Sequence, residues 1–171
     1  PEGEISLDRN ALYFGANLAG SVSGAQSIRI ANSGKGTMNW TTADDASWLN
    51  VSPASGSDNG VLSVSADPSG LSAGTHTGSI TVSSDDATNS PQTVNVTLNV
   101  YSTGAKPWGE FSTPLEGSAY SSSVAVTGWV LDDVEVTGVR IYREDGGNLM
   151  PVGDAVLVEG ARTDIEAQYP E

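Results

Sequence analysis

Cysteine is absent from this chain of 171 residues, which excludes disulfides and thiolate metal sites and leaves the compartment open. Basic residues are few, seven against twenty-one acids, for a formal charge of −14. That balance repels nucleic acid and anionic membrane surfaces, so neither is expected as a partner. No apolar run approaches the roughly 20 residues needed to span a bilayer, no signal peptide is visible, and membrane insertion is not expected. The single histidine, His76, leaves little for zinc, which takes three or four nitrogen, sulfur or carboxylate ligands. A nucleophile–histidine relay would need a serine and a carboxylate beside it, and neither that nor a nucleophile elbow of the G-x-S-x-G type is expected here. The chain reads as non-enzymatic. It opens on Pro1-Glu2-Gly3-Glu4 without a methionine, as a processed or excerpted piece of something longer does.

What is abundant is glycine, serine and threonine on a background of only 16% charged residues, the composition of an all-β protein with hydroxyl-rich outer faces. The stretch from Trp48 to Val100 organises the rest. Leu62, Val64 and Ala66 alternate with Ser63 and Ser65, and Ile80 and Val82 with Thr81 and Ser83. Val94, Val96, Leu98 and Val100 alternate with Asn95, Thr97 and Asn99. A period of two places successive side chains on opposite faces, so each run makes a strand with one dry and one wet face. Turn clusters at Pro53–Gly60, Asp67–Gly74 and Asp85–Pro91 separate them. Upstream, strand signals lie at Ile5–Leu7 and Leu12–Phe14 with a bend at Asp8-Arg9-Asn10, at Ser27–Ala31, at Met38-Trp40-Thr42, and at Leu49–Val51. About seven strands of this kind form the pattern of an immunoglobulin-like sandwich.

That module spans residues 1–101. Ser102 to Pro107 is short and polar and reads as a linker. Residues 108–171 carry twelve acids and three bases, against nine and four in 1–107, a shift that supports the boundary. Strands are expected there over Val124–Leu131, Gly138–Tyr142 and Pro151–Val158, with one helical turn near Asp164–Gln168. Three or four strands are too few to close a sandwich, and an incomplete one leaves edge groups and an apolar face uncovered.

Two resemblances follow from these residues. The segments Ile30–Gly34 followed by Trp40, Trp48–Gly56, Gly70–Ile80 and Asn89–Val94 fall in an order that resembles a BACON domain, a bacterial immunoglobulin-like module often joined to carbohydrate-active enzymes and surface proteins. The resemblance covers roughly residues 5–100 and implies an association with carbohydrate but no binding residues. The second module, through Thr127–Val136 and Val139–Arg143, is similar to bacterial immunoglobulin-like repeats of secreted multi-domain proteins.

For binding chemistry the aromatics come first, because sugar rings stack on flat apolar faces whose edges also hydrogen-bond. Trp40 and Trp48 read as core, and Trp108 as a cover near the linker. Trp129, Tyr120 and Tyr142 are the carbohydrate-binding candidates. No cofactor is expected. A hard cation such as calcium would want several oxygens on a shaped loop. Asp132, Asp133 and Glu135 are the metal candidates, with Asp85-Asp86 near Asn89 as a second set, although neither has the spacing of a helix–loop–helix calcium loop. The sequons at Asn39, Asn50 and Asn95 are uninformative in so Asn-, Ser- and Thr-rich a chain.

The expected function is a structural or adhesive, non-catalytic module of a secreted or cell-surface bacterial protein. Its expected partners are itself or other surface-protein domains. The incomplete second module adds β-strand addition from a neighbour, which when head-to-tail builds filaments. The alternatives are a carbohydrate-binding module recognising polysaccharide, and an accessory region of a larger secreted hydrolase.

Overall fold

The computed structural model describes residues 2–158 and 160–169. The chain is nearly all β and divides into two compact units, residues 1–104 and 105–171.

The first unit holds nine strands, two more than the hydrophobic pattern predicts: β1 (Ile5–Leu7), β2 (Ala11–Asn17), β3 (Gln26–Asn32), β4 (Asn39–Asp44), β5 (Leu49–Ser52), β6 (Ser55–Ser57), β7 (Gly60–Ala66), β8 (Gly74–Ser83) and β9 (Gln92–Tyr101). They form a four-stranded sheet in the order β1-β3-β7-β5 and a five-stranded sheet in the order β2-β9-β8-β4-β6. All pairings are antiparallel except β2 with β9, which run parallel over Ala11–Asn17. The alternating residues do what their period dictates. Leu12, Phe14, Ile28, Ile30, Leu62, Val64, Ile80, Val82, Val94, Val96 and Leu98 are all buried to within 2% and fill the space between the sheets. Each such aliphatic or aromatic side chain removed from water contributes about 1.5–3 kcal/mol. This single core is what makes the unit a sandwich.

Strand β6 escapes a hydrophobic scan because Ser55-Gly56-Ser57 has no apolar alternation. Its reason is Trp40. The indole of Trp40 is 2% exposed, and a Cβ at Gly56 or at Gly60 would overlap its ring carbon Cζ2. Two glycines therefore let the β6–β7 backbone close over a tryptophan that a larger residue would exclude.

The outer faces are nearly free of charge. On the five-stranded sheet the outward positions are Thr93, Asn95, Thr97, Asn99 and Tyr101 on β9, and Thr75, Thr77, Ser79, Thr81 and Ser83 on β8. They continue with Ala11, Tyr13, Gly15 and Asn17 on β2, Asn39, Thr41 and Ala43 on β4, and Ser55 and Ser57 on β6. Register sets Thr77 opposite Thr97 and Thr81 opposite Thr93. The acids sit in the connections instead: Asp58, Asp67, Asp85 and Asp86 lie between strands, and Asp44 and Asp45 at the end of β4.

The second unit carries β10 (Trp108–Thr113), β11 (Thr127–Leu131), β12 (Arg140–Asp145), β13 (Asn148–Asp154) and a six-residue helix α1 (Thr163–Gln168). The strands pair as two separate two-stranded antiparallel sheets, β10-β11 and β12-β13. The predicted helical turn is present, and the three predicted strands appear with shifted bounds. Strand β10 is additional, since Trp108-Gly109-Glu110-Phe111 mixes both faces. Among the described residues of this unit none is buried. Phe111, Leu115, Leu149, Val152, Val156 and Val158 are each more than 60% exposed.

Candidate functional site

The sugar candidates do not come together as a platform. Trp129 lies on β11 opposite Glu110 of β10. Its ring meets that of Trp108 at a centroid distance of 4.9 Å and an interplanar angle of 88°. Trp108 also meets Tyr169 edge-on, at 5.2 Å and 81°, and is itself 46% exposed. Tyr120 is half-exposed in the connection after β10, its hydroxyl accepting from the Ser118 hydroxyl at 3.2 Å. Tyr142 is half-exposed on β12, in the other two-stranded sheet. The aromatic cluster is thus Trp108, Trp129 and Tyr169, two of which sequence spacing alone did not mark as binding residues.

Beside the cluster, Arg162 forks onto Asp164 through Nε (2.9 Å) and Nη2 (2.8 Å) and donates through Nη1 to the Ser112 hydroxyl at 3.2 Å. The guanidinium holds the Asp164 carboxyl at about 2, below its ordinary 3.8. The other two arginines of the unit are paired as well, Arg140 with Asp154 at 3.1 Å and Arg143 with Asp145 at 3.2 Å.

The metal candidates are occupied with backbone. Asp132 Oδ1 accepts from Val134 N (3.0 Å) and Glu135 N (3.3 Å), and Asp133 Oδ2 from Ala105 N (2.8 Å). Asp133 Oδ1 is buried without a hydrogen-bond partner. Asp86 Oδ2 accepts from the backbone (2.9 Å) and side-chain amide (3.1 Å) of Asn39, while Asn89 spends its amide on the backbone of Ile5. Short acidic and amide side chains next to turns take the nearest free N–H groups. Among the described residues no three His, Cys, Asp or Glu side chains are grouped to hold a metal.

His76 is half-buried on β8, and its Nε2 donates to the Ser72 carbonyl oxygen at 2.8 Å. Gly70-Leu71-Ser72-Ala73-Gly74 does have the spacing G-x-S-x-G, contrary to the expectation that no such element is present. It lies in the connection between the antiparallel strands β7 and β8, whereas a nucleophile elbow joins a strand to a helix. The imidazole engages the serine's backbone, so the spacing is a turn.

Unit 1 also has a shallow groove of about 720 Å³ lined by Asn39, Trp40, Thr41, Ser55, Ser57 and Asp85, among others. Its walls combine Trp40 and the hydroxyl and amide groups at the end of the outer face with the carboxylates of Asp85 and Asp86.

Residues 4–99 match the family model described as the viral BACON domain. The chain belongs to that family. The BACON match covers the first unit and the resemblance read from its four segments. Its description is viral, which differs from the bacterial setting that the resemblance implied. No curated protein matches the chain. Among solved structures it is similar to a GH5 xyloglucanase of Bacteroides ovatus in complex with a XXXG heptasaccharide, at 22% identity and a TM-score of 0.47, over 61% of this chain and 20% of that one. It is also similar to the periplasmic chaperone SfaE, at 9% and 0.43 over 58% of each chain. A third is a putative carbohydrate binding protein of Bacteroides ovatus, at 11% and 0.43 over 64% and 40%. The chain spans less than two thirds of each of these proteins. Among the described residues no helix is long and apolar enough to cross a membrane.

Proposed function

We propose that this BACON-family chain is a non-catalytic structural and adhesive module of a secreted or surface-exposed assembly, whose second unit is completed by β-strands supplied from further polypeptide. One observation carries the reading: four strands in two separate pairs, with no described residue of the unit buried. Two-stranded sheets are marginal in water, and every strand in them has a free hydrogen-bonding edge. Added strands would pair those edges and cover Phe111, Leu149 and Val152, the arrangement of β-augmentation. The first unit supports the same role from the other side. Its core is closed, the outer face of its five-stranded sheet carries hydroxyls and amides without charge, and its one histidine is held by a backbone carbonyl, so it has the features of a display or spacing element.

Light scattering with electron microscopy of the whole chain tests this. Regular oligomers, or a monomer whose second-unit amides exchange far faster than those of β8 and β9, are the expected results. A uniform 17.5 kDa species with both units equally protected would overturn the reading.

A second reading is favoured by one specific surface. The outward residues of β2, β9 and β8 form an uncharged array of Thr, Ser and Asn with Tyr13 43% exposed at its margin. Such a face suits a neutral polysaccharide, whose hydroxyls can exchange hydrogen bonds with it while one ring stacks on the tyrosine. Retardation in gels containing neutral glucans or xyloglucan, lost in Tyr13→Ala, supports this reading; unretarded migration in all of them removes it.

A further inference from the structure

We propose that the corner formed by Trp108, Trp129 and Tyr169 binds a cation with an apolar hull, a quaternary ammonium group. Aromatic rings carry negative potential on their faces and attract such cations over them, within about 6 Å of the ring centroid. The two rings that meet Trp108 do so at 88° and 81° rather than stacking on it. An edge-to-face contact covers a face of only one ring of each pair, and Trp108 and Tyr169 keep 46% and 37% of their surface exposed. A sugar wants one flat platform, whereas rings at right angles match a compact, nearly spherical ion.

Charge points the same way. Residues 108–171 hold twelve acids and three bases, and all three of those bases are arginines already paired with aspartates. Arg162 has Nε and Nη2 on Asp164 and Nη1 on Ser112, and its charge also feels the Glu110 carboxylate. Glu110 faces Trp129 across the β10–β11 pair and lies two residues from Trp108 on the same side of the sheet. Trp108 and Trp129 thus share their side of the β10–β11 pair with the Glu110 carboxylate, which Arg162 feels through space while its hydrogen bonds go to Asp164 and Ser112.

The test is titration of the whole chain with tetramethylammonium chloride, followed by tryptophan fluorescence and by ring-proton NMR shifts. Sodium chloride at equal ionic strength and 3,3-dimethyl-1-butanol, the neutral isostere of choline, serve as controls. A saturable response to tetramethylammonium alone is expected, weakened about tenfold or more in Trp108→Ala and several-fold in Glu110→Gln. Glu110→Gln changes only a surface carboxylate, so its effect does not depend on whether Trp108→Ala folds. An equal response to the neutral isostere would make the corner merely apolar, and no saturable response, or one unmoved by either substitution, would overturn the proposal.

Discussion

The side-chain amide of Asn89 pairs with both backbone groups of Ile5: its Oδ1 accepts from Ile5 N at 2.8 Å, and its Nδ2 donates to Ile5 O at 2.9 Å. Ile5 faces Asn32 of β3 on its other side, so Asn89 stands where a further strand would otherwise pair. One planar amide thereby blunts the edge of the four-stranded sheet. Asn89→Ala leaves a donor and an acceptor of a buried residue unpaired, and a loss of about 1–3 kcal/mol is expected. Asn89→Asp keeps the acceptor but has no donor for Ile5 O, and also destabilises. Urea unfolding of the two variants checks this; wild-type midpoints in both would show that water substitutes for the amide.

Gly56 and Trp40 form the second sensitive pair. A Cβ at Gly56 falls inside the indole, so Gly56→Ala overpacks the site and is expected to cost about 1–3 kcal/mol. Trp40→Phe loses packing on its own but removes the ring carbon that the new methyl would strike. The double variant is therefore less destabilised than the sum of the singles, by about 0.5 kcal/mol or more in a double-mutant cycle. Strict additivity would mean that the β6 backbone shifts to make room.

Three turn aspartates of the first unit contribute to its response to acid. Asp45 lies below its usual 3.8 through the Ser79 backbone N–H and then the Ser79 hydroxyl. Asp67 does so through the side chain and backbone of Ser69, and Asp86 through the backbone and side-chain amides of Asn39. A depressed carboxylate contributes stability that is fully present above its unfolded pKa and is lost as pH falls through the lower folded one. The urea midpoint should be level above about pH 5 and decline once pH drops below the ordinary aspartate range. Asp45→Asn should be the weaker protein at pH 6, with the gap to wild type closing at strongly acid pH. A gap that stays constant across the range would remove Asp45 from the account.

The two units are expected to differ in local stability. Amides of β8 and β9, at the centre of a five-stranded sheet, should exchange only on global opening, and those of β10–β13 within seconds to minutes. Hydrogen-exchange mass spectrometry reads both in one experiment. Equal protection would contradict the absence of buried residues among the described residues of the second unit.

Much of the first unit could be read from the sequence, because Leu62, Val64, Val94, Val96 and Leu98 alternate strictly and a half-buried strand needs nothing more. Its parallel β2–β9 pair could not, since no local signal registers Leu12 against Val96 across more than eighty residues. Nor could the work of Asn89, which on the page is one amide in a turn. In the second unit Trp129 was legible as an aromatic off the main apolar face, but its partners were not. Trp108 lies on strand β10, which carries no alternation to announce it, and Tyr169, which meets Trp108, follows a short helix whose placement depends on tertiary contact.

The parallel pairing of β2 and β9 has a mechanical consequence. Ala11, where β2 begins, lies beside Asn95, and Tyr101, where β9 ends, lies beside Asn17 at the opposite end of the ladder. Tension applied through the two ends of this unit therefore slides the strands along each other once β1 has peeled away. The whole ladder from Ala11 to Asn17 takes the load at once, whereas a hairpin pulled from its open end yields one rung at a time. A parallel pair of this kind resists an end-to-end pull better than a hairpin opened from its end.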